Sequence, residues 1–524
     1  MIPLAASFAA LFAAFILYKL VFASNSALRG TILRGPPSPS YLWGVTRVLR
    51  AGSYAPHIYN TWAKAYGTVY TIPTILGIPQ YIVQDPKAIV HVYAGGWGVY
   101  HRNALARKFI EIAFGRGLLW AEGDTARLQR KSLTPAFSIL AVRQFTSIFY
   151  DSVYKMSQKW GEILDSTQKG GDQAIEVQDW MNRVALDTIG IAGFSYDFKT
   201  LDGHESPFDK INWGRGESWF ASLIIIGQVL PWVMHLPSEK KRTLHEFHGA
   251  VSSIADEIYD RAKQGDIQDN SIIGALLKAE AKEAGGKMNM TKEQVISQMN
   301  VLLLAGYETT SISLTWALIE LCTHPEVQAR LRESLGSTDV TYDELNTLEY
   351  LDAVVMETLR LHPPVRQTNF EISEPDILPL SNPLTTATGE GVDRIHVPKN
   401  AKITVPIQAM NQMPELWGPD ATKFDPARWL ASENKDEDGL GRARELGGHR
   451  HVLTFIDGPR MCLGKQFALT EFKAVLSVLI RTYVFSTIDE SQKFKQCAGQ
   501  SLLPRPKSVG AEGFAVPLRV RRVS

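Results

Sequence analysis

Phe455-Ile456-Asp457-Gly458-Pro459-Arg460-Met461-Cys462-Leu463-Gly464 decides the reading of this 524-residue chain. The stretch puts one cysteine in a loop between a glycine turn and an apolar helical pattern that runs from Leu463 to Tyr483. At the amino end of a helix, unpaired N–H groups favour a thiolate over a thiol. Gly458 and Gly464 remove side chains where the backbone must approach something flat and large. Arg460 suits a carboxylate on that same object, and Phe455 can cover the sulfur from water. An iron porphyrin held by one axial cysteine, Cys462, meets all of these demands. The plainer alternative is a buried, inert cysteine beside a glycine turn.

These residues resemble the haem-binding signature of the cytochrome P-450 family. Its fixed Phe, Gly, Arg, Cys and Gly fall on Phe455, Gly458, Arg460, Cys462 and Gly464. With each residue type at about one in twenty, a chance match somewhere in the chain is on the order of one in ten thousand. The resemblance implies haem b with Cys462 as the axial iron ligand. It also implies a mainly α fold with a small β-rich lobe, extending over nearly the whole chain and preceded by an N-terminal transmembrane helix.

Upstream, Thr291 and Gln294 form a capping box, so a helix is expected from about Lys292 to Cys322. At 1.5 Å per residue it would be roughly 45 Å long, enough to cross the body. Its middle reads Ala305-Gly306-Tyr307-Glu308-Thr309-Thr310. Gly306 costs about 1 kcal/mol relative to alanine in a helix interior, and it lies three residues from Thr309, on the same face. A missing side chain beside a hydroxyl would leave a pocket with one hydrogen-bond donor. The alternative is a core helix whose threonine bonds its own backbone. The segment resembles the family's oxygen-activation motif. That implies that Ala305 and Gly306 border the haem, Thr309 hydrogen-bonds iron-bound dioxygen and Glu308 feeds protons to it.

Glu357 and Arg360 lie three apart on one helical face in apolar surroundings, so the pair is expected to be buried and to need further partners. The resemblance supplies one from a Phe-x-Pro-x-Arg segment, here Phe424 to Arg428, making Glu357, Arg360 and Arg428 a structural triad. For the haem propionates the resemblance implies Arg460 and Arg130. Two usual donors are replaced, one by Ala126 and one by Phe370, with Arg366 as a substitute for the second.

Composition is ordinary for a globular chain: 45% hydrophobic, 21% charged and net charge +1. Nucleic acid is a poor partner for such a surface. Cys322, Cys462 and Cys497 are the three cysteines, too few for a disulfide framework or a four-thiolate zinc site. Cys322 ends a helix and Cys497 is expected in a C-terminal loop. Residues 1–23 are apolar enough to span a bilayer core, with basic residues after them rather than before. An uncleaved anchor with the body in the cytosol follows from those flanks, and the resemblance adds the endoplasmic reticulum. The single sequon, Asn289-Met290-Thr291, should then be unmodified. Residues 24–40, basic and proline-rich, read as a rigid spacer, and 41–524 as one catalytic domain. Strands are expected at 68–71, 80–83, 394–398 and 401–406, with helical patterns dominating between 86 and 363.

Trp219 to Leu236 is strongly apolar and is expected to dip into the membrane. Core packing and a second span are the competing readings. The loop 100–119 and the segment 496–503 should complete the pocket. No dinucleotide fingerprint is present. Electrons must therefore come from another protein. The resemblance names NADPH-cytochrome P-450 reductase, with cytochrome b5 as an alternative, docking near Arg127, Lys131 and Lys465. The implied activity is hydroxylation or epoxidation of a lipophilic small molecule, in the manner of fungal members that modify terpenoids or other secondary metabolites. A haem-thiolate isomerase, dehydratase or peroxygenase, and a non-catalytic haem sensor or carrier, are the competing classes.

Overall fold

The computed structural model describes residues 30–51, 55–166, 172–206, 208, 239–265, 271–281, 290–430, 440–497, 502–511 and 513–523. The expected anchor, the first part of the spacer, Trp219–Leu236 and Asn289 lie outside the described residues.

Seven helices build the frame around the site. They are α1 (Gly123–Leu133), α2 (Ile139–Asp165), α3 (Val177–Phe194), α4 (Glu239–Lys263), α5 (Lys292–Thr323), α6 (Glu349–Leu361) and α7 (Lys465–Thr482). The start of α5 is fixed by the expected capping box. The Gln294 N–H donates to Thr291 Oγ1 at 3.2 Å, and the Thr291 N–H donates to Gln294 Oε1 at 3.0 Å. Among the described residues, α5 is the one helix long and apolar enough to cross a membrane. Most of its apolar stretch is buried inside the protein, so it is the central core helix. α3 and α4 pack along it, and α7 lies against both α5 and α2. The α2–α7 contact is aromatic: Phe145 and Phe149 meet the Phe467 ring edge-on at 6.0 and 5.0 Å.

The strands are β1 (Val69–Pro73), β2 (Pro79–Val83), β3 (Tyr100–His101), β4 (Gln173–Glu176), β5 (Thr368–Ile372), β6 (Asp376–Thr385), β7 (Gly391–Val397), β8 (Lys402–Val405), β9 (Tyr483–Ser486), β10 (Phe494–Cys497), β11 (Arg505–Ser508) and β12 (Pro517–Arg522). The main sheet runs β1-β2-β8-β5-β3, with β2 and β8 parallel and the other neighbours antiparallel. β6 pairs with β7, β10 with β11, and β12 lies between β4 and β9. The expected strands correspond to β1, β2, β7 and β8. Of the others, β3 and β4 are short and find partners far away in sequence.

Two readings of the sequence are corrected here. Residues 31–35 of the expected rigid spacer pack onto the body. The Thr31 N–H donates to the His396 carbonyl, and the Arg34 carbonyl accepts from the Thr71 N–H. Leu33 is buried, and a Cβ on Gly35 would collide with the Thr71 carbonyl. The body therefore starts before residue 41. Cys497 lies in strand β10, opposite Arg505 of β11, and not in a loop.

Candidate functional site

The loop ahead of α7 is folded tightly against the helix after β2. Ile456 and Gly458 both take positive φ, +61° and +65°. A Cβ on Gly458 would sit 2.5 Å from the Tyr93 carbonyl oxygen, so this glycine is needed for close approach as well as for its dihedral. Phe455 ends its short turn buried, with its ring edge-on to His449 at 6.2 Å. The Cys462 N–H donates to the Phe455 carbonyl at 2.9 Å. These constraints bring Cys462 onto the wall of a cavity of about 470 Å³. Phe455, Arg460 and Gly464 line the same cavity.

Burial pushes the Cys462 thiol up, and the Gly464 N–H, Arg130 and Lys465 oppose that shift without cancelling it. The Gly464 N–H at the amino end of α7, with Arg130 and Lys465, thus acts in the direction of a thiolate, and the residue itself is exposed on the open face of the loop.

α5 forms the facing wall through Val301, Ala305, Glu308, Thr309 and Thr310. The Thr309 hydroxyl donates to the Ala305 carbonyl at 2.6 Å. In that rotamer it offers lone pairs to the cavity, and it must turn to act as a donor. Gly306 departs from expectation. It is not a lining residue, and a Cβ there would lie 2.8 Å from Cγ1 of Ile189 in α3. Its missing side chain serves the α3–α5 packing and not a pocket beside Thr309. Glu308 is buried, and its Oε1 accepts from Arg505 Nη2 at 3.2 Å and from the Leu503 N–H at 3.3 Å. Behind this wall Glu471 of α7 is fully buried, and burial pushes its carboxyl well above the ordinary range. Thr310 is the neighbour that opposes that shift, yet neither its hydroxyl nor the carboxyl oxygens complete a hydrogen bond.

Three guanidinium groups border the cavity: Arg102, Arg130 and Arg460. Arg460 is held by Glu122 and by the Gly96 carbonyl. Arg102 follows the edge strand β3; its N–H donates to Glu122 at 3.0 Å, while its side-chain Nε is buried without a partner. Burial and the like charge of Arg460 pull Arg102 down to about 10, with Glu122 opposing. Arg102 is the cation that sequence reasoning missed. Arg366 does not line the cavity and is influenced by Tyr59, and Phe370 packs edge-on against Tyr93 and Tyr100.

The buried pair on α6 has the expected partners. Arg360 donates from Nε and Nη2 to the two Glu357 oxygens, each at 2.7 Å, and both side chains are fully buried. Glu357 also accepts from Trp429 Nε1 and from the Asp425 N–H, both at 3.0 Å. Arg360 reaches the carbonyls of Asn411, Ala421 and Lys423. Arg428 approaches Glu357 at 3.7 Å and Asp420 at 3.2 Å.

The family model "Cytochrome P450" matches residues 35–510. The chain belongs to the cytochrome P450 family. It is similar to the cytochrome P450 monooxygenases claP and claQ of Ampulloclitocybe clavipes. Identity is 46% and 45%, over 97% of this chain and 96% of each of theirs. Cytochrome P450 monooxygenase 91 of Postia placenta is 32% identical over 93% of both chains. This cytochrome P450 is accordingly a monooxygenase, and its cofactor is haem b with a cysteine thiolate ligand. The cavity suits that group. It offers one thiol for iron and three guanidiniums, one with an orphaned nitrogen, for two propionates.

Proposed function

We propose that this cytochrome P450 takes electrons from a separate NADPH-dependent flavoprotein reductase, or from cytochrome b5. With them it inserts one atom of O2 into a C–H or C=C bond of a lipophilic small molecule. Haem b, when bound, supplies the redox chemistry that joins O2, two electrons and two protons to give one inserted oxygen atom and one water. Cys462, on a loop closed by its own backbone hydrogen bond to Phe455, would hold the iron through its sulfur. Arg102, Arg130 and Arg460 would hold the propionates. Thr309 and Glu308 present a hydroxyl and an acid on the opposite wall and move protons there. Glu357, Arg360 and Arg428 fix the haem-binding core without touching the chemistry.

The observation that carries this reading is the convergence of a single thiol, three guanidiniums and the Glu308–Thr309 pair on one cavity with a largely apolar wall. Its wall of Phe109, Phe114, Leu118, Leu302 and Leu502 supports a lipophilic substrate such as a terpenoid. The acid–hydroxyl pair favours delivered protons over a peroxygenase or a sensor. For the rest of the assembly we assign residues 1–23 as an anchor in the endoplasmic reticulum membrane with the body in the cytosol. The reductase is assigned to the thiolate side, near Lys131 and Lys465. Arg127 belongs to the same basic surface but is already paired with Asp124 at 2.8 Å. The test is twofold. Reduced, carbon-monoxide-treated protein should give the red-shifted band of a thiolate-ligated haem, and oxidation of a terpenoid panel should require reductase. Full turnover from peroxide alone would overturn the reading.

A further inference from the structure

Glu122 stands at the amino end of α1, yet its side chain makes no cap bond to that helix. Both of its oxygens turn instead to the arginines of the cavity. Oε1 accepts from the Arg102 N–H at 3.0 Å. Oε2 pairs with Arg460 and lies 3.4 Å from His101 Nδ1. The carboxylate side chain is 11% exposed and its Arg460 partner 8%, so water screens the pair poorly. Arg460 also reaches the Tyr100 carbonyl, at 3.4 Å. One acid thereby joins the edge strand β3 to the loop that carries Cys462.

Charge explains why an acid belongs beside a site for two carboxylates. Arg102, Arg130 and Arg460 bring three positive charges to the cavity wall, against two propionates. The surplus cation is strained: Arg102 is buried, and the like charge of Arg460 works against it while Glu122 supports it. With Glu122 as carboxylate the cradle is balanced. Without it, neighbouring guanidiniums would repel, and one uncompensated positive charge would stand beside the cofactor. Such a charge favours uptake of an electron, because the reduced cofactor is the more negative form. We propose that Glu122 is a positioning residue of the propionate cradle, fixing Arg102 and Arg460 and their charge balance, and that it thereby keeps the reduction potential of the bound haem low. The inference rests on the reading of the three arginines as propionate ligands. The competing role is a structural staple that only pins β3 to the cysteine loop.

The test is a spectroelectrochemical titration of full-length, haem-loaded protein without substrate or reductase. It compares wild type, Glu122→Gln, Glu122→Asp, Arg102→Leu and the double variant Glu122→Gln with Arg102→Leu. Glu122→Gln should keep the red-shifted carbon monoxide band and move the potential upward. The expected scale is a gain of roughly tenfold in the ferrous-to-ferric ratio at a fixed poise, about 59 mV for one electron. Glu122→Asp, which keeps the charge, should stay closer to wild type. Arg102→Leu should move the potential downward. The double variant, which removes an anion and a cation together, should return most of the way to wild type. A wild-type potential in Glu122→Gln overturns the proposal. So does an upward shift that the second substitution leaves unrepaired, as a mere staple would give. Where Glu122→Gln fails to bind haem, Glu122→Asp and the double variant carry the test, and loss of haem from both leaves only the staple. Failure of the arginine reading would appear separately, as Arg102→Leu protein with the potential and haem retention of wild type.

Discussion

The N–H of Cys462 donates to the carbonyl of Phe455 at 2.9 Å, tying the two ends of the thiolate loop together. The sulfur's position is therefore set by backbone, so replacing the side chain should remove the metal bond and leave the loop. Cys462→Ser is expected to fold with an unfolding temperature near wild type while losing the red-shifted carbon monoxide band and all reductase-driven turnover. A variant that keeps the band would remove Cys462 from the iron.

Gly458 and Gly464 flank the same sulfur but answer to different constraints. Gly458 has φ +65° and the Tyr93 carbonyl 2.5 Å from where a Cβ would lie, whereas Gly464 has φ −85° and only Phe137 at 3.6 Å. Gly458→Ala should therefore lower stability by about 1–3 kcal/mol from backbone strain, with clash added. Gly464→Ala should cost less in the fold and act on haem uptake. Thermal unfolding with haem content measured in parallel separates the two, and equal losses of stability would contradict the assignment.

What could be read from the sequence was local. The capping box of α5, the thiolate loop and the Glu357–Arg360 spacing are each written within a few residues, where helix geometry or a turn fixes the outcome. What was missed depends on chain segments meeting across long separations. Arg102 reaches the cavity because β3 pairs with β5, some 270 residues on. Arg505 reaches Glu308 across 197 residues. Gly306 was read as a neighbour of the cofactor and instead packs against Ile189, a contact on a separate helix that could not be seen from α5 alone. An unexplained arginine after a short edge strand was the one local signal for Arg102.

Glu357 makes its hydrogen bonds wholly inside the protein, so removing it strands a buried arginine. Glu357→Ala should cost about 3–5 kcal/mol, as for one partner taken from a buried pair, and yield chain without haem. Glu357→Gln keeps the shape and part of the bonding but loses the charge that Arg360 needs, and should fall between. Soret absorbance per milligram of purified protein is the measure. A haem-replete Glu357→Ala variant would reduce this network to an ordinary surface-grade pair.

Arg102 carries the cavity's orphaned guanidinium nitrogen, and a propionate is the anion that would complete it. Hydrogen bonds to charged groups contribute about 1.5–3 kcal/mol, so Arg102→Leu should speed haem loss roughly tenfold to a hundredfold. Transfer of haem to excess apomyoglobin gives that rate. Arg366→Leu, at a residue that does not line the cavity, should leave it unchanged.

Glu471 provides a test in pH. Its carboxyl titrates well above its ordinary range in the folded chain because burial disfavours the charge by more than the neighbouring Thr310 restores. Below pH 4.5 both states hold the proton, and the fold bears no titration cost from this group. As pH rises past that point the unfolded chain releases the proton while the folded chain keeps it. Stability then falls until the folded carboxyl itself ionises, by up to about 1.4 kcal/mol per pH unit for one proton. Glu471→Gln removes the titration and keeps the volume. Its unfolding temperature should approach wild type near pH 4.5 and exceed it by a growing margin towards pH 7. Differencing the two curves cancels every other titrating group, so parallel curves would mean that Glu471 is hydrated or paired in solution.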